Sequence, residues 1–189
     1  MKFFIAYATV EGQSRRIAEK LASFLETRGH QSVIASATEM SEYTLERPDG
    51  VLLCAPIHAG RYPSYFTDFV RREIDWLSAI PSAFVSVTLS IASDDPDERA
   101  EAARFPAALA AETGWEPRLV HNAAGALRYT EYDFFKRWML KRIAGKHNAP
   151  TDTSNDYELT DWAALEAFAV DFIELCGAVP SSEAASQPR

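Results

Sequence analysis

The chain has 189 residues, 47% apolar and 24% charged, which suits one globular domain with a single filled core. Acidic side chains outnumber basic ones 27 to 19, and the net charge of -8 offers no broad cationic field to a nucleic-acid backbone, so no nucleic-acid partner is expected. No apolar run approaches the ~20 residues that span a bilayer, and Cys54 and Cys176 have neither metal-ligand nor Cys-x-x-Cys spacing, which argues against zinc and against a dithiol redox centre.

The opening Met-Lys-Phe-Phe-Ile-Ala-Tyr is too short and lacks the cleavage pattern of a signal peptide, so a cytoplasmic location is expected. Residues 3–8 read as a β-strand, Thr9 to Ser14 as a loop, and Ile17, Leu21, Phe24 and Leu25 fall at helical spacing. Gly29 stops that helix and Val33-Ile34-Ala35 begins a second strand. Val51 to Ala55 is apolar without alternation, the pattern of a strand covered on both faces of a parallel sheet. Tyr65, Phe66, Phe69, Val70, Ile74 and Leu77 predict one helix, and Ala83 to Leu89 a fourth strand. Asp94 to Glu98 reads as a solvated acidic loop leading into an alanine-rich helix that ends near Gly114. Leu119 to Ala126 is the fifth strand, helices fit 133–144 and 161–175, and the Ser, Ala and Pro-rich tail from Gly177 is expected to be disordered. Strands and helices alternating in this way predict an α/β fold with a doubly wound five-stranded parallel sheet. Ligands are then expected beyond the carboxyl ends of the strands, where the winding reverses.

The loop after the first strand lacks Gly-x-Gly-x-x-Gly and Gly-Lys-Ser/Thr, which removes dinucleotide and nucleoside-triphosphate phosphate loops. A phosphorylatable receiver domain would need clustered carboxylates after strand one and an aspartate ending strand three, where this chain has Thr9 and Cys54-Ala55-Pro56. What remains is Thr9, Val10, Glu11, Gly12, Gln13 and Ser14: two hydroxyls, an amide and a glycine feeding a helix N-terminus whose free N–H groups suit a phosphate. Arg15 and Arg16 stand in the first turn of that helix, where its dipole disfavours cations unless an anion is near.

This order resembles the phosphate loop of the flavodoxins. Pro56, Ile57, His58, Ala59 and Gly60, followed by Arg61-Tyr62, resemble the flavodoxin loop against the isoalloxazine, and Ser86, Val87, Thr88 and Leu89 the loop on the ring's other edge. Pro81 to Val87, Gly125-Ala126-Leu127-Arg128-Tyr129, Thr151-Asp152-Thr153 and Thr160-Asp161-Trp162 are similar to segments of the bacterial FMN-dependent, quinone-linked protoporphyrinogen IX dehydrogenases of the flavodoxin superfamily. The resemblance implies a flavodoxin-like three-layer α/β/α domain over residues 1–176. It also implies an FMN that passes electrons from a porphyrinogen to a quinone, with redox chemistry carried by the cofactor and no metal. On that basis His58 flanks the flavin or is a solvated loop residue, and Tyr62 stacks on the ring or begins the apolar face of the next helix. Arg61 and Arg128 are candidates for the substrate's propionates, with Tyr129 as a flat wall. Phe134 to Ile143 mixes aromatic and cationic residues and either rests on an anionic membrane surface, within reach of lipid-soluble quinone, or packs on the sheet. The acidic stretch 93–98 departs from the basic loop of those dehydrogenases and would repel propionates. A non-enzymatic FMN electron carrier is the competing expectation.

Overall fold

A computed structural model describes residues 1–39, 47–127 and 157–178. Five parallel strands, β1 (Lys2–Tyr7), β2 (Gln31–Ser36), β3 (Gly50–Pro56), β4 (Ser82–Val87) and β5 (Leu119–Ala123), lie in the order β2-β1-β3-β4-β5. Strand β3 is buried on both faces, as its unbroken apolar run predicts. Alternation in β1 sends Phe3 and Ile5 to one face and Phe4 and Ala6 to the other.

The first face is covered by α1 (Gln13–Thr27) and by a C-terminal helix, Trp162–Ala178, through Ile17, Leu21 and Leu25 and through Leu165, Phe168 and Phe172. The second is covered by α2 (Ser64–Arg72), α3 (Ile74–Ala79) and, beyond an α4 (Pro96–Ala102), by α5 (Phe105–Thr113), with Phe66, Phe69, Leu77 and Leu109 inward. The C-terminal helix is thus α6, and the whole is the three-layer doubly wound fold that the sequence predicts. Its winding reverses between β1 and β3, which opens a crevice beyond their carboxyl ends. Residues 179–189, most of the expected tail, and the predicted helix at 133–144 lie outside the described residues.

Five local expectations are corrected. The single helix read over Tyr65 to Leu77 is broken at Glu73 (φ -98°, ψ 14°), leaving α2 and α3. The acidic stretch is not all loop. Asp95 caps α4, its side chain accepting from Asp97 N–H at 2.9 Å, Pro96 follows at the first turn, and Asp97 and Glu98 sit where the helix dipole favours carboxylates. The alanine-rich helix then stops at Ala103 and restarts as α5, with Pro106 near its start. The fifth strand ends at Ala123, and Ala126–Leu127 (β6) leaves the sheet to pair antiparallel with Tyr157–Glu158 (β7). Strand four likewise ends at Val87, after which Thr88 caps a 3-10 turn, Leu89–Ala92.

Candidate functional site: a cavity at the sheet's switch point

The crevice holds a cavity of about 500 Å³, within the range of small-molecule and cofactor sites. Four chain segments form its walls: Thr9, Val10, Glu11, Gln13 and Ser14 after β1; Pro56 to Gly60 after β3; Val87 to Ser90 after β4; and Gly125 after β5. All come from carboxyl ends of strands. A fifth side is formed by Glu98, Glu101 and Ala102 of α4 with Phe105 of α5.

The end at α1 is built to receive an anion. Gly12 is the N-cap residue with φ 86°, a left-handed conformation that a Cβ disfavours, and no side chain caps the helix. The first turn contains no carboxylate, so its N–H groups are left to a ligand. Thr9 Oγ1 accepts from Gly12 N–H at 2.8 Å, which closes the turn and leaves the hydroxyl proton to donate. Ser14 is 1% exposed, lines the cavity, and its Oγ has no hydrogen-bond partner. A buried hydroxyl left unsatisfied costs about 1–3 kcal/mol, and an accepting anion at this helix end would recover it.

Tyr65 of α2 holds this loop from below. Its hydroxyl donates to Thr9 O (3.0 Å) and accepts from Thr9 N–H (3.1 Å), and partial burial raises its pKa above the ordinary phenol value. Sequence reading treats Tyr65 only as a residue of an apolar helix face; the aromatic body fits that pattern and the polar tip does not show in it.

On the opposite rim, His58-Ala59-Gly60-Arg61 is a tight turn closed by His58 N–H to Arg61 O (2.9 Å) and Arg61 N–H to His58 O (3.3 Å). Ala59 (φ 50°) and Gly60 (φ 77°) both have positive φ, the mark of a type I′ turn. An alanine in that region costs roughly 1–2 kcal/mol, a strain located at the mouth of the cavity. Arg61 is exposed beside the wall residue Gly60.

Some expected residues are engaged elsewhere. Ser86 is fully buried and its hydroxyl shares a 2.8 Å hydrogen bond with Tyr62, away from the cavity wall. Tyr62 packs among Phe66, Phe84 and Phe105, the core reading rather than the stacking one, and burial pushes its pKa up. Arg15 pairs with Glu19 and Arg16 with Glu158, so the anion that accounts for Arg16 in the first turn is a side chain of β7. Arg128 and Tyr129 lie outside the described residues. The wall residues Ser90, Glu101, Ala102 and Phe105 were not singled out by sequence reasoning, since the helix read through the last three breaks where its periodicity gave no break; Glu98 and Gly125 were noted only within the acidic stretch and the Gly125 to Tyr129 motif. Among the described residues no group of three or more His, Cys, Asp or Glu is placed to hold a metal, and burial pushes the thiol of Cys54 up in pKa.

A family model described as a flavodoxin domain matches residues 4–154. The chain belongs to the flavodoxin-domain family. Membership implies a flavin in the cavity, and the open helix end and the unpartnered Ser14 hydroxyl fit a flavin that carries a phosphate. The chain is 34% identical over 176 residues to the protoporphyrinogen IX dehydrogenase [quinone] of Escherichia coli, covering 93% of this chain and 96% of that one. It is 34% identical over 181 residues to the protein of the same name from Leishmania major, covering 95% and 78%. Among solved structures, the rubredoxin oxygen:oxidoreductase of Desulfovibrio gigas superposes with a TM-score of 0.53 at 14% identity, covering 94% of this chain; the chain spans 36% of that protein. A short-chain flavodoxin associated with a bacterial microcompartment gives 0.51 at 13% identity, covering 93% and 99%. These two likenesses are likenesses of fold.

Proposed function

We infer that the protein is an FMN-dependent oxidoreductase that oxidises protoporphyrinogen IX to protoporphyrin IX and passes the electrons to a quinone. The observation that carries this reading is the extent of the match. It runs over 176 residues, through β6, β7 and α6 and past the flavodoxin-domain boundary at 154, and the relatives so matched bear the name protoporphyrinogen IX dehydrogenase [quinone].

The phosphate of FMN is assigned to the N–H groups at the start of α1 with the hydroxyls of Ser14 and Thr9. The ring is assigned to the space between Pro56 to Gly60 and Val87 to Leu89, which hold it in the crevice and limit the access of water. When bound, FMN supplies the two-electron redox chemistry, and the protein's part is to bind, orient and exclude. The type I′ turn sets His58 at the mouth, where it flanks the ring, and Arg61 beside it is assigned to a propionate of the macrocycle. Arg128 and Tyr129 extend this assignment on sequence alone. The aromatic and cationic stretch Phe134 to Ile143 is assigned to a peripheral contact with the inner face of the membrane, where quinone resides. Among the described residues no helix is long and apolar enough to cross a membrane.

The test is anaerobic incubation of FMN-loaded protein with protoporphyrinogen IX, with and without a soluble quinone. Porphyrin fluorescence is expected to grow over many turnovers only when quinone is present. Protein that takes up FMN yet leaves the porphyrinogen unoxidised would overturn the reading in favour of an electron carrier.

A further inference from the structure

Gln13 lines the cavity at the start of α1, yet both N–H groups of its amide are engaged by the protein's own side chains. Nε2 donates to Glu158 Oε1 at 3.0 Å and to Thr160 Oγ1 at 2.8 Å. Thr160 is buried, and its hydroxyl donates onward to Ala124 O at 2.8 Å, immediately before the wall residue Gly125. Glu158 Oε1 also accepts from Thr160 N–H (3.2 Å), and its Oε2 takes Arg16 Nη1 at 2.6 Å. An unbroken path of hydrogen bonds therefore runs from the first turn of α1, through Gln13 and Thr160, to the end of β5. The β6–β7 pair is fastened to the same turn by one carboxylate.

From this juxtaposition we propose that Gln13 and Glu158 are positioning residues. They form a tether that docks the β6–β7 pair against α1 and so sets the cavity wall at Gly125, and the Gln13 side chain is not a donor to the cofactor's phosphate. An amide NH₂ has two protons, and both have partners within the protein. A phosphate at the helix end would have to break two bonds, one of them to a charged acceptor, in order to recruit it. Backbone N–H groups and Ser14 meet the same need without that loss. Strands of two residues have little pairing of their own, so the tether decides whether β6 and β7 stay docked.

This rests on the FMN reading only in its cofactor arm. In the first arm, peptide-level hydrogen exchange over residues 157–162 is measured on the protein without cofactor, for wild type, Gln13→Ala, Glu158→Ala and the double variant. Exchange is expected to speed up by about tenfold in each single variant and, in the double one, by clearly less than the product of the two, because both variants lose the shared Gln13–Glu158 bond. Glu158→Gln, which keeps the acceptor, is expected to restore much of the protection. In the second arm, the affinities for FMN and for riboflavin are compared, since their ratio isolates the phosphate. That ratio is expected to stay within about twofold in Gln13→Ala, and to fall about tenfold in Ser14→Ala, which loses a charge-assisted bond. The KM for porphyrinogen is expected to rise in Gln13→Ala and Glu158→Ala with little change in kcat. Additive exchange effects, or a tenfold loss of FMN preference in Gln13→Ala with exchange unchanged, would overturn the tether. A wild type that does not prefer FMN to riboflavin would instead count against the FMN reading, and the exchange arm would still decide the tether.

Discussion

The two ends of the cavity are opposite in chemistry and in origin. At α1 a contiguous segment presents uncapped N–H groups, a glycine in the left-handed region and a buried hydroxyl with no partner, and the helix's first turn is free of carboxylates. Against it stands a wall in which Glu98 and Glu101 project from α4, a helix begun by Asp95 and Pro96. One end attracts a dianion through neutral groups and the other repels negative charge. The contrast gives the cavity a direction: under the proposed function the phosphate is assigned to α1, and whatever approaches the far wall meets carboxylates.

The largest effect should come from reversing the first end. Gly12→Asp places a carboxylate at the helix start and forces a side chain into φ 86°. A repulsion of about 4 kcal/mol at close range corresponds to roughly a thousandfold loss of FMN affinity, read by titration of flavin fluorescence. Unchanged flavin content would refute the phosphate assignment. Ser14→Ala sharpens the same point with a crossed result: FMN binds about tenfold more weakly, while the cofactor-free protein melts higher because an unsatisfied buried hydroxyl is gone. Loss of both together would mean that the hydroxyl has a partner in the fold.

At the other end, joint replacement of Glu98 and Glu101 by glutamine is expected to lower KM for the dianionic porphyrinogen by about fivefold at low salt, and by less as salt screens the wall. Steady-state kinetics at two ionic strengths reads this, and an unchanged KM would remove the wall from the substrate's path. The smallest effect belongs to neither end. His121 on β5 packs against Phe168 of α6 at 5.4 Å, and burial lowers its pKa below 6.5 against the opposing pull of Asp161. The unfolded chain then binds the proton more readily, so stability falls as pH drops below about 6.5. His121→Phe should flatten that part of the stability profile in denaturant titrations, without moving FMN affinity.

The same contrast explains what could be read from sequence. Thr9 to Ser14 is one local segment whose residue types carry their geometry, and β3 announces its central place through an unbroken apolar run. The far wall depends on long-range packing. Glu98 reads as the end of a solvated acidic stretch and Glu101 as one residue of an alanine-rich helix, until Asp95 is seen to cap a helix that carries both to the cavity. Tyr65 is hidden within a helical stripe, and Glu158 lies 145 residues from the Gln13 it holds. Ser86 follows the strand pattern correctly, but alternation alone does not reveal that its hydroxyl meets Tyr62 on the far face of β4.

The central claim is that a flavin held in this cavity takes electrons from a porphyrinogen and yields them to a quinone. The most direct test is an anaerobic single-turnover mix of FMN-loaded protein with protoporphyrinogen IX, following flavin absorbance and porphyrin appearance, with a soluble quinone added afterwards. The account predicts rapid flavin bleaching with porphyrin formed in step, reversed on adding quinone. A flavin that stays oxidised beside the porphyrinogen, yet still accepts electrons from a reductase, would contradict it.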